Sequence, residues 1–472
     1  MKVSTKISAL KHGQEQYMNA REIVLDMLIE VIEKDKHSHL VLSRTLGELN
    51  DLDKKERSFI TRLLNGTIER LITLDYDIER FSKIKINKMK PLIRNLLRMG
   101  MYQIKYMDQV PDSAACNEAV KIAKKRGFQS LSGFVNGILR NAIRNKESLY
   151  EYPKEIPTSE RLSLIYSTPL WIIETLTKQF DYDTMEAILA SSFEEKTTSI
   201  RVNESKISKK ELIQTLIEEG VSVEEGDYYP LALKIKNYDS LERLQSFQKG
   251  YYQVQDESSM IVGMAAGVKP GDKIIDVCAA PGGKSLHVAE LLTVVEKETD
   301  AKGSVEARDL TDKKVALIKE NIQRNHASNL IAKVMDASLL DEDSIESADI
   351  VIADLPCSGL GVFGKKPDIK YKMKPDQQKD LVKLQRQILN VVTKYVKKGG
   401  TLLYSTCTIN REENEENLKY ILDNFPFEVE SLDEYLPKNL IGETTKNGYI
   451  QLIPGVHSTD GFFISRLRRK SE

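Results

Sequence analysis

Cysteine is scarce in this chain of 472 residues: four are present, Cys116, Cys278, Cys357 and Cys407. No two stand at CxxC spacing, so neither a zinc site nor a disulfide framework is indicated, no metal is expected, and free thiols are predicted. Uncharged apolar runs of the ~20 residues that a membrane span needs are missing. The opening "MKVSTKISALKHGQEQ" lacks the apolar core of a signal peptide. A cytoplasmic protein without membrane contact is the resulting expectation.

What is present is ordinary in bulk, with 41% hydrophobic and 29% charged residues and a net charge of −1. The charge is nevertheless uneven. Residues 1–150 hold 27 Lys+Arg against 18 Asp+Glu, a net +9 that leaves −10 for the remaining 322. A basic N-terminal third points to an acidic partner such as nucleic acid. The length predicts two or three domains.

From about residue 5 to 147 the pattern is helical. Ile23, Val24, Met27, Leu28 and Val31 form one apolar stripe at three- and four-residue spacing. The same period returns in "ERSFITRLLNGTIERLI", "KPLIRNLLRMGMYQIKYM", "NEAVKIAKKRG", where Gly127 suits a helix C-cap, and "SGFVNGILRNAIRN", which sets Arg140 and Arg144 on one face. Residues 1–150 are therefore expected to be an all-α bundle. "YEYPKEIPTSE" is a linker by its prolines. Residues 151–250 then mix strand ("TTSIRVN", "VSVEE") and helix ("KKELIQTLIEEG") as a small α+β subdomain.

Residues 251–472 alternate apolar strands with helices, the signature of a doubly wound, mostly parallel sheet. "KIIDVCAAPGGKS" is a strand, a Pro-Gly-Gly turn and a helix start. Further strands end at Asp309, Asp336, Asp354 and, after a Gly399-Gly400 turn, at Cys407. Ligands bind outside the carboxyl ends of such strands, so these groups should face one crevice. Gly282 and Gly283 allow close backbone approach, and the following helix offers free N–H groups. Asp309 is placed to accept from ribose hydroxyls. The Pro-Gly-Gly turn is not GxGxxG, which disfavours a dinucleotide, so a mononucleoside cofactor such as S-adenosyl-L-methionine is favoured, one acid holding ribose and another the adenine amino group.

Cys357, in "ADLPCSGLG", and Cys407, in "LLYSTCTIN", both lie at strand ends beside this crevice. A thiolate and a methyl donor together suit 5-methylation of a pyrimidine, whose C5 becomes nucleophilic only after a thiolate adds at C6. Asp354 could hydrogen-bond the base edge and stabilise the adduct. At this level either cysteine could attack.

The segments "AREIVLDMLIEVI", "ERSFITRLLNGTIER", "LLRMGMYQIKYMDQVPDSAACNEAVKIAKKRG" and "FVNGILRNAIRN" resemble a NusB-type RNA-binding domain over residues 15–145. Lys121, Lys124, Lys125 and Arg126 are candidate phosphate contacts there. "YYQVQDESS", "DVCAAPGGKS", "DLPCSGLGVFGKKPDIKY", "GGTLLYSTCTINREENE" and "DGFF" resemble the RNA 5-methylcytosine methyltransferase family of the Nol1/Nop2/Sun type. The combination of both is similar to members of that family acting on small-subunit (16S) ribosomal RNA or its precursor. The resemblance implies a Rossmann-like S-adenosylmethionine-dependent methyltransferase domain. It also implies a cofactor loop of Cys278, Ala279, Ala280, Pro281, Gly282, Gly283 and Lys284, with Asp309, Asp336 and Asp354 as further cofactor-binding acids. Cys407 would then be the nucleophile and Cys357 the residue assisting product release. Leu355 replaces the usual Ala and Thr408 the usual Ser. Lys365, Lys366, Lys370, Lys372 and Lys374 are candidate phosphate contacts, and a monomer is expected. A DNA cytosine methyltransferase using the Pro-Cys thiol, or a non-catalytic RNA-binding factor on the same fold, would start from the same residues. The second thiol and the NusB-like segment count against the first, and the complete loop, acids and thiols against the second.

Overall fold

The computed structural model describes residues 19–49, 52–194 and 197–471. The signal-peptide reading and the first part of the expected helical region, before residue 19, fall outside them. The chain divides into two compact units, one of Met1–Glu174 with Lys366–Lys372, the other of Thr175–Lys365 with Met373–Glu472.

The first unit is helical: α1 (Ala20–Leu28), α2 (Ser38–Glu48), α3 (Lys54–Glu69), α4 (Leu71–Arg80), α5 (Pro91–Tyr106), α6 (Asp112–Lys125), α7 (Ser132–Arg144) and α8 (Thr158–Tyr166). The stripe Ile23, Val24, Met27, Leu28 and Val31 is buried, as its spacing predicts, and so are Ile93, Leu96, Leu97 and Ile104 of α5. Pro91 opens α5 where no backbone donor is needed. Gly127 follows α6 at φ +86°, and the Phe128 N–H reaches back to the Ala123 carbonyl at 2.8 Å, a Schellman closure that favours glycine. One expected continuous helix is broken: Arg70, at φ −106°, separates α3 from α4.

Helix α9 (Leu170–Thr177) leads into the second unit, which begins with α10 (Tyr182–Ser191). A four-stranded antiparallel sheet follows, from β1 (Thr198–Val202), α11 (Lys209–Glu218), β2 (Ser222–Glu225), β3 (Ala232–Lys236), α12 (Gln245–Gln248) and β4 (Tyr252–Val254), in the order β2-β3-β1-β4. Strands β3 and β4 are additions to what periodicity indicates. They are short, and β3 reads as alternating apolar and lysine.

The larger sheet comes from α13 (Glu257–Ala266), β5 (Lys273–Asp276), α14 (Gly283–Val295), β6 (Ser304–Asp309), α15 (Asp312–Asn325), β7 (Leu330–Val334), β8 (Ala348–Asp354), α16 (Ile369–Lys372), α17 (Pro375–Val392), β9 (Val396–Thr406), α18 (Glu415–Asn424), β10 (Phe427–Val429), α19 (Glu443–Lys446), β11 (Tyr449–Leu452) and β12 (Phe462–Arg469). Its order is β10-β12-β9-β8-β5-β6-β7, with β11 pairing β12. Strands β5 to β9 are mutually parallel, and β12 joins β9 antiparallel. Alternate residues serve opposite faces. Ile274, Ile350, Ile352, Leu403 and Ile464 pack in one cluster with Ile261, Leu286 and Ile318. Ile275, Val351, Ala353, Leu402, Tyr404 and Phe463 pack in another with Ile388, Leu389 and Ile421. Helices thus cover both faces, as parallel sheets require. The chain runs from β5 outward to β6 and β7, then crosses to β8 and β9, so a crevice opens beyond the carboxyl ends of β5 and β8.

Gly399 and Gly400 do not precede the last parallel strand. They lie inside β9, where pairing jumps from Ala348–Val396 to Ile350–Thr401. Gly399 has φ +72°, and a Cβ on Gly400 would stand 2.9 Å from the Asp349 carbonyl.

Two arginines fasten the small sheet to this layer. Arg201, 1% exposed, pairs with Glu290 of α14 and donates to Gln255 at 2.9 Å. Arg324 of α15 lies 4.0 Å from the Phe247 ring centroid and donates to the Tyr252 carbonyl at 3.2 Å. Within the first unit, Lys366–Lys372 are held by Ser38, whose hydroxyl donates to Asp368, and by the Tyr371 hydroxyl, 2.8 Å from the Glu69 carbonyl and 2.7 Å from that of Ser167. Among the described residues no helix is long and apolar enough to cross a membrane.

Removing one partner of a buried ion pair strands the other charge. Glu290→Ala is expected to lower unfolding stability by about 3–5 kcal/mol, measured by urea denaturation; a loss under about 1 kcal/mol would show the pair to be dispensable.

Candidate active site

Hydrogen bonds tie Asp309 to the turn after β5, and Asp354 to Lys284 and Ser405. After β5 the backbone turns through Cys278–Pro281, with the Ala279 N–H on the Arg308 carbonyl at 2.8 Å and the Ala280 N–H on Asp309 Oδ2 at 2.9 Å. Gly282, at φ +104°, caps α14, and a Cβ there would also crowd Ile318 at 3.3 Å. Lys284, in the first turn of α14, places Nζ 2.6 Å from Asp354 Oδ2 and 5.1 Å from the Phe462 ring centroid. Asp354 Oδ1 accepts from Ser405 Oγ at 2.9 Å. Burial alone would lower the Lys284 pKa, but the Asp354 carboxylate, with Asp276 and Cys407, raises it overall, so the ammonium is kept. Asp336 lies two residues beyond β7. Its Oδ1 accepts from the Ser338 N–H and hydroxyl at 2.9 and 2.7 Å, which lowers its pKa. It is joined to the rest only through the neighbouring Met335 N–H on the Asp309 carbonyl at 2.9 Å.

The two thiols meet. Strands β8 and β9 run abreast, Asp354 beside Ser405, and the loops beyond bring Cys357 Sγ and Cys407 Sγ to 3.2 Å. Cys357 is held in its neutral form, first by the hydrogen bond to Cys407 and then by burial. Cys278 stays protonated because burial pushes its pKa up.

Glu413, absent from the sequence-based candidates, holds the thiol loops together. Its carboxylate is fully buried and accepts from the Ser358 N–H at 2.9 Å, the Ser358 hydroxyl at 2.5 Å, Gln385 at 3.0 Å and Asn410 at 3.1 Å. Ser358 Oγ also lies 2.8 Å from Thr408 Oγ1, so the neighbours of both cysteines touch. The only trace of this in sequence is one acid within "REENEEN". On the other side of Cys407 its carbonyl accepts from the Gly361 N–H at 3.1 Å, and Gly361 crosses Gly461 so closely that a Cβ on Gly361 would stand 2.0 Å from the Gly461 carbonyl oxygen. Beyond that crossing lies a polar cavity of about 300 Å³, whose lining includes Ser199, Lys234, Asp256, Lys365 and His457.

The lysines after the Pro-Cys motif do not form the expected row of phosphate contacts. Lys365 is paired with Asp256 and, at 2.9 Å, Asp460, and so braces the "QDESS", "GKK" and "DGFF" segments. Lys370 is 1% exposed, and Lys372 binds Asp35 at 3.2 Å and the Lys36 carbonyl. Lys366 and Lys374 remain exposed. In the helical unit Lys121 is paired with Glu118, Lys125 with Glu22 and Arg126 with Asp26, and Lys124 is exposed.

Residues 264–468 match the model of the 16S rRNA methyltransferase RsmB/F family, residues 18–144 the NusB family, and residues 168–241 the ferredoxin-like domain of RsmF/B-like methyltransferases. A probable ribosomal RNA small subunit methyltransferase B of Bacillus subtilis is 37% identical over 455 residues, 96% of this chain and 99% of that protein. A protein of the same description from Synechocystis is 31% identical over 96% of this chain and all of that one. The chain belongs to the RsmB/F family of 16S rRNA methyltransferases. Among solved structures, PH0851 superposes with a TM-score of 0.80 at 26% identity, covering 96% of this chain and all of that one. NSun6 from Pyrococcus horikoshii, solved with the cofactor analogue SFG, gives 0.55 at 25% identity over 69% of this chain and all of that one. The cofactor is S-adenosyl-L-methionine.

The crevice fits that cofactor on its own chemistry. Gly282 and Gly283 leave the start of α14 open to close approach. Asp309 and Asp336 offer carboxylate acceptors at successive strand ends. Asp276, at the end of β5, is the addition: its Oδ2 accepts from Ser285 Oγ at 2.6 Å, while Oδ1 is buried with no hydrogen-bond partner among the described residues. A buried carboxyl oxygen with no donor suits the cofactor's ammonium group. Burial raises the Asp276 pKa to about 7.

Two outcomes follow. Because the folded-state pKa of Asp276 is raised, its protonated form is favoured below about 7 and the carboxylate that pairs an ammonium forms only as pH climbs through that value. S-adenosylmethionine affinity measured by calorimetry is therefore expected to rise from pH 6 to 7.5, and Asp276→Asn to flatten that dependence; a flat wild-type profile would remove Asp276 from cofactor binding. Glu413→Ala removes the shared acceptor of four buried hydrogen bonds and should cost about 3 kcal/mol or more in urea denaturation, with Glu413→Gln intermediate.

Proposed function

We propose that this chain methylates C5 of a cytosine in 16S ribosomal RNA, through a covalent bond between Cys407 Sγ and C6 of the base that is resolved with help from Cys357. The observation that carries this reading is the pair of sulfurs 3.2 Å apart at adjacent parallel strand ends, next to the Lys284–Asp354 pair. One thiol suits attack and the other departure. The hydrogen bond to Cys407 and burial keep the Cys357 thiol protonated, which suits it to assisting departure rather than to attack. The Lys284 ammonium, whose proton affinity is raised in part by Cys407, favours negative charge on that sulfur.

S-adenosylmethionine supplies the electrophilic methyl group. The cofactor would be held by the loop Cys278–Lys284, by Asp309 and Asp336, and by Asp276 toward its ammonium. On the substrate side Cys407 adds at C6, which makes C5 an enamine carbon able to take the methyl group. Loss of the C5 proton and rupture of the S–C6 bond then restore the ring and the thiol. Cys357 adjoins the bond that breaks. Asp354 is placed to accept from the base edge, with Lys284 fixing its orientation. The target must be unpaired or turned out of the helix, because C6 is shielded within a stack. The 300 Å³ polar cavity beyond Gly361 is of a size to take a neighbouring nucleoside. The NusB-like helices would supply further RNA contacts, with Lys124, Arg140 and Arg144 among the exposed or half-exposed cations on α6 and α7.

The test incubates small-subunit RNA and labelled S-adenosylmethionine with Cys357→Ala and Cys407→Ala variants. Cys357→Ala should accumulate a protein–RNA complex that survives denaturing electrophoresis, while Cys407→Ala makes none and transfers no methyl. The opposite pattern would falsify the assignment of roles. Bisulfite mapping of the product reads whether cytosine C5 is modified, and a DNA copy of the substrate should remain unlabelled.

A further inference from the structure

Of the four cysteines in the chain, the fold brings Cys357 and Cys407 into contact. Cys116 is fully buried in the helical unit with its thiol on Asn136 at 3.4 Å. Cys278 packs in the cluster with Ile275, Val277 and Leu389. Cys357 and Cys407 stand with their sulfurs 3.2 Å apart, and both are half-buried. A disulfide needs an S–S separation near 2.05 Å, so closing this pair requires an approach of roughly 1 Å. The loop beyond Cys357 turns at Gly359, which has φ +69°, and Ser358 and Thr408 bond to each other, so the two sulfurs are held in register. A crevice that admits a nucleotide to Cys407 also admits a small oxidant.

We infer that Cys357 and Cys407 form an oxidisable dithiol, and that peroxide converts them to an intramolecular disulfide that switches the enzyme off reversibly. In the first step the Cys407 thiolate attacks hydrogen peroxide: an S–O bond forms, the O–O bond breaks, and hydroxide leaves and takes up a proton as water. Cys407 is now a sulfenic acid, oxidised by two electrons. In the second step the Cys357 sulfur attacks Cys407: an S–S bond forms, the S–O bond breaks, and the oxygen leaves as a second water with the Cys357 proton. A resolving thiol this close outcompetes further oxidation of the sulfenic acid. Dithiol reductants reverse the change by exchange. The consequence is that the residue serving product release also guards the nucleophile from irreversible oxidation. This depends on the separation of the sulfurs and not on which of them attacks the base.

The experiment treats reduced, full-length protein with hydrogen peroxide, alkylates it, and digests it without reductant for mass spectrometry. The expected result is a cross-linked peptide pair containing Cys357 and Cys407, two hydrogens lighter than the sum of its parts, with titratable thiols in the denatured protein falling from four to two. Methyl transfer should fall about tenfold or more and return with dithiothreitol. Cys357→Ser should give a dimedone-reactive Cys407 and no cross-link. Four thiols surviving peroxide, a cross-link to Cys278, or Cys407 passing to sulfinic acid with Cys357 still free would each overturn the inference. An untreated enzyme that transfers no methyl group counts against the proposed reaction alone, because the cross-link is read without it.

Discussion

The carboxylate of Glu413 sits where water does not reach, and a buried carboxylate is tolerated only when donors surround it. Its four donors come from three places: the backbone and hydroxyl of Ser358 after β8, Gln385 of α17, and Asn410 after β9. None of these segments can shift without leaving a charge unsatisfied. The separation of the thiols is set by this arrangement, since Cys357 is one residue from Ser358 and Cys407 one from Thr408. Packing supports it from below. The alternation of Ile350 and Ile352 with Val351 and Ala353, and of Leu403 with Leu402 and Tyr404, fixes how β8 and β9 lie abreast.

The cofactor side and the thiol side of the crevice meet at Lys284. One ammonium stands near two carboxyl groups, and their environments differ. Asp354 is bonded to both Lys284 and Ser405, whereas Asp276 has one oxygen on Ser285 and the other without a donor. Burial raises the Asp276 pKa to about 7, so a cation arriving beside it would favour its charged form.

Much of this was legible in the chain. Fully buried parallel strands read as continuous apolar runs, so their ends, and the acids and thiols at those ends, could be located by period alone. The fold class and the cofactor followed from that pattern and from the motifs. What sequence did not reveal was partnership. Lys365 reads as a free cation in a basic loop, but Asp256 and Asp460, its partners, lie about a hundred residues to either side. Glu413 reads as one more surface acid among the four of "REENEEN". Gly399-Gly400 reads as a turn because two glycines give no register, and only the pairing of Val396 with Ala348 shows a bulge within β9. Strands β10 to β12 are antiparallel, and two of them are short, so they lack the apolar continuity that marked the others.

The seven residues Lys366–Lys372 carry a consequence for the order in which the protein is made. They complete the helical unit, through Asp368 on Ser38 and Tyr371 on Glu69 and Ser167, although that unit is otherwise finished by Glu174. A ribosome adding roughly 5–20 residues per second releases this segment some ten to forty seconds after the helices themselves. Through that interval the helices wait with Ser38 and Ser167 lacking these partners, while β5 to β8 emerge and begin to pair. The N-terminal unit is thus first to appear and cannot be first to finish: its last contacts depend on synthesis having passed the Pro-Cys loop.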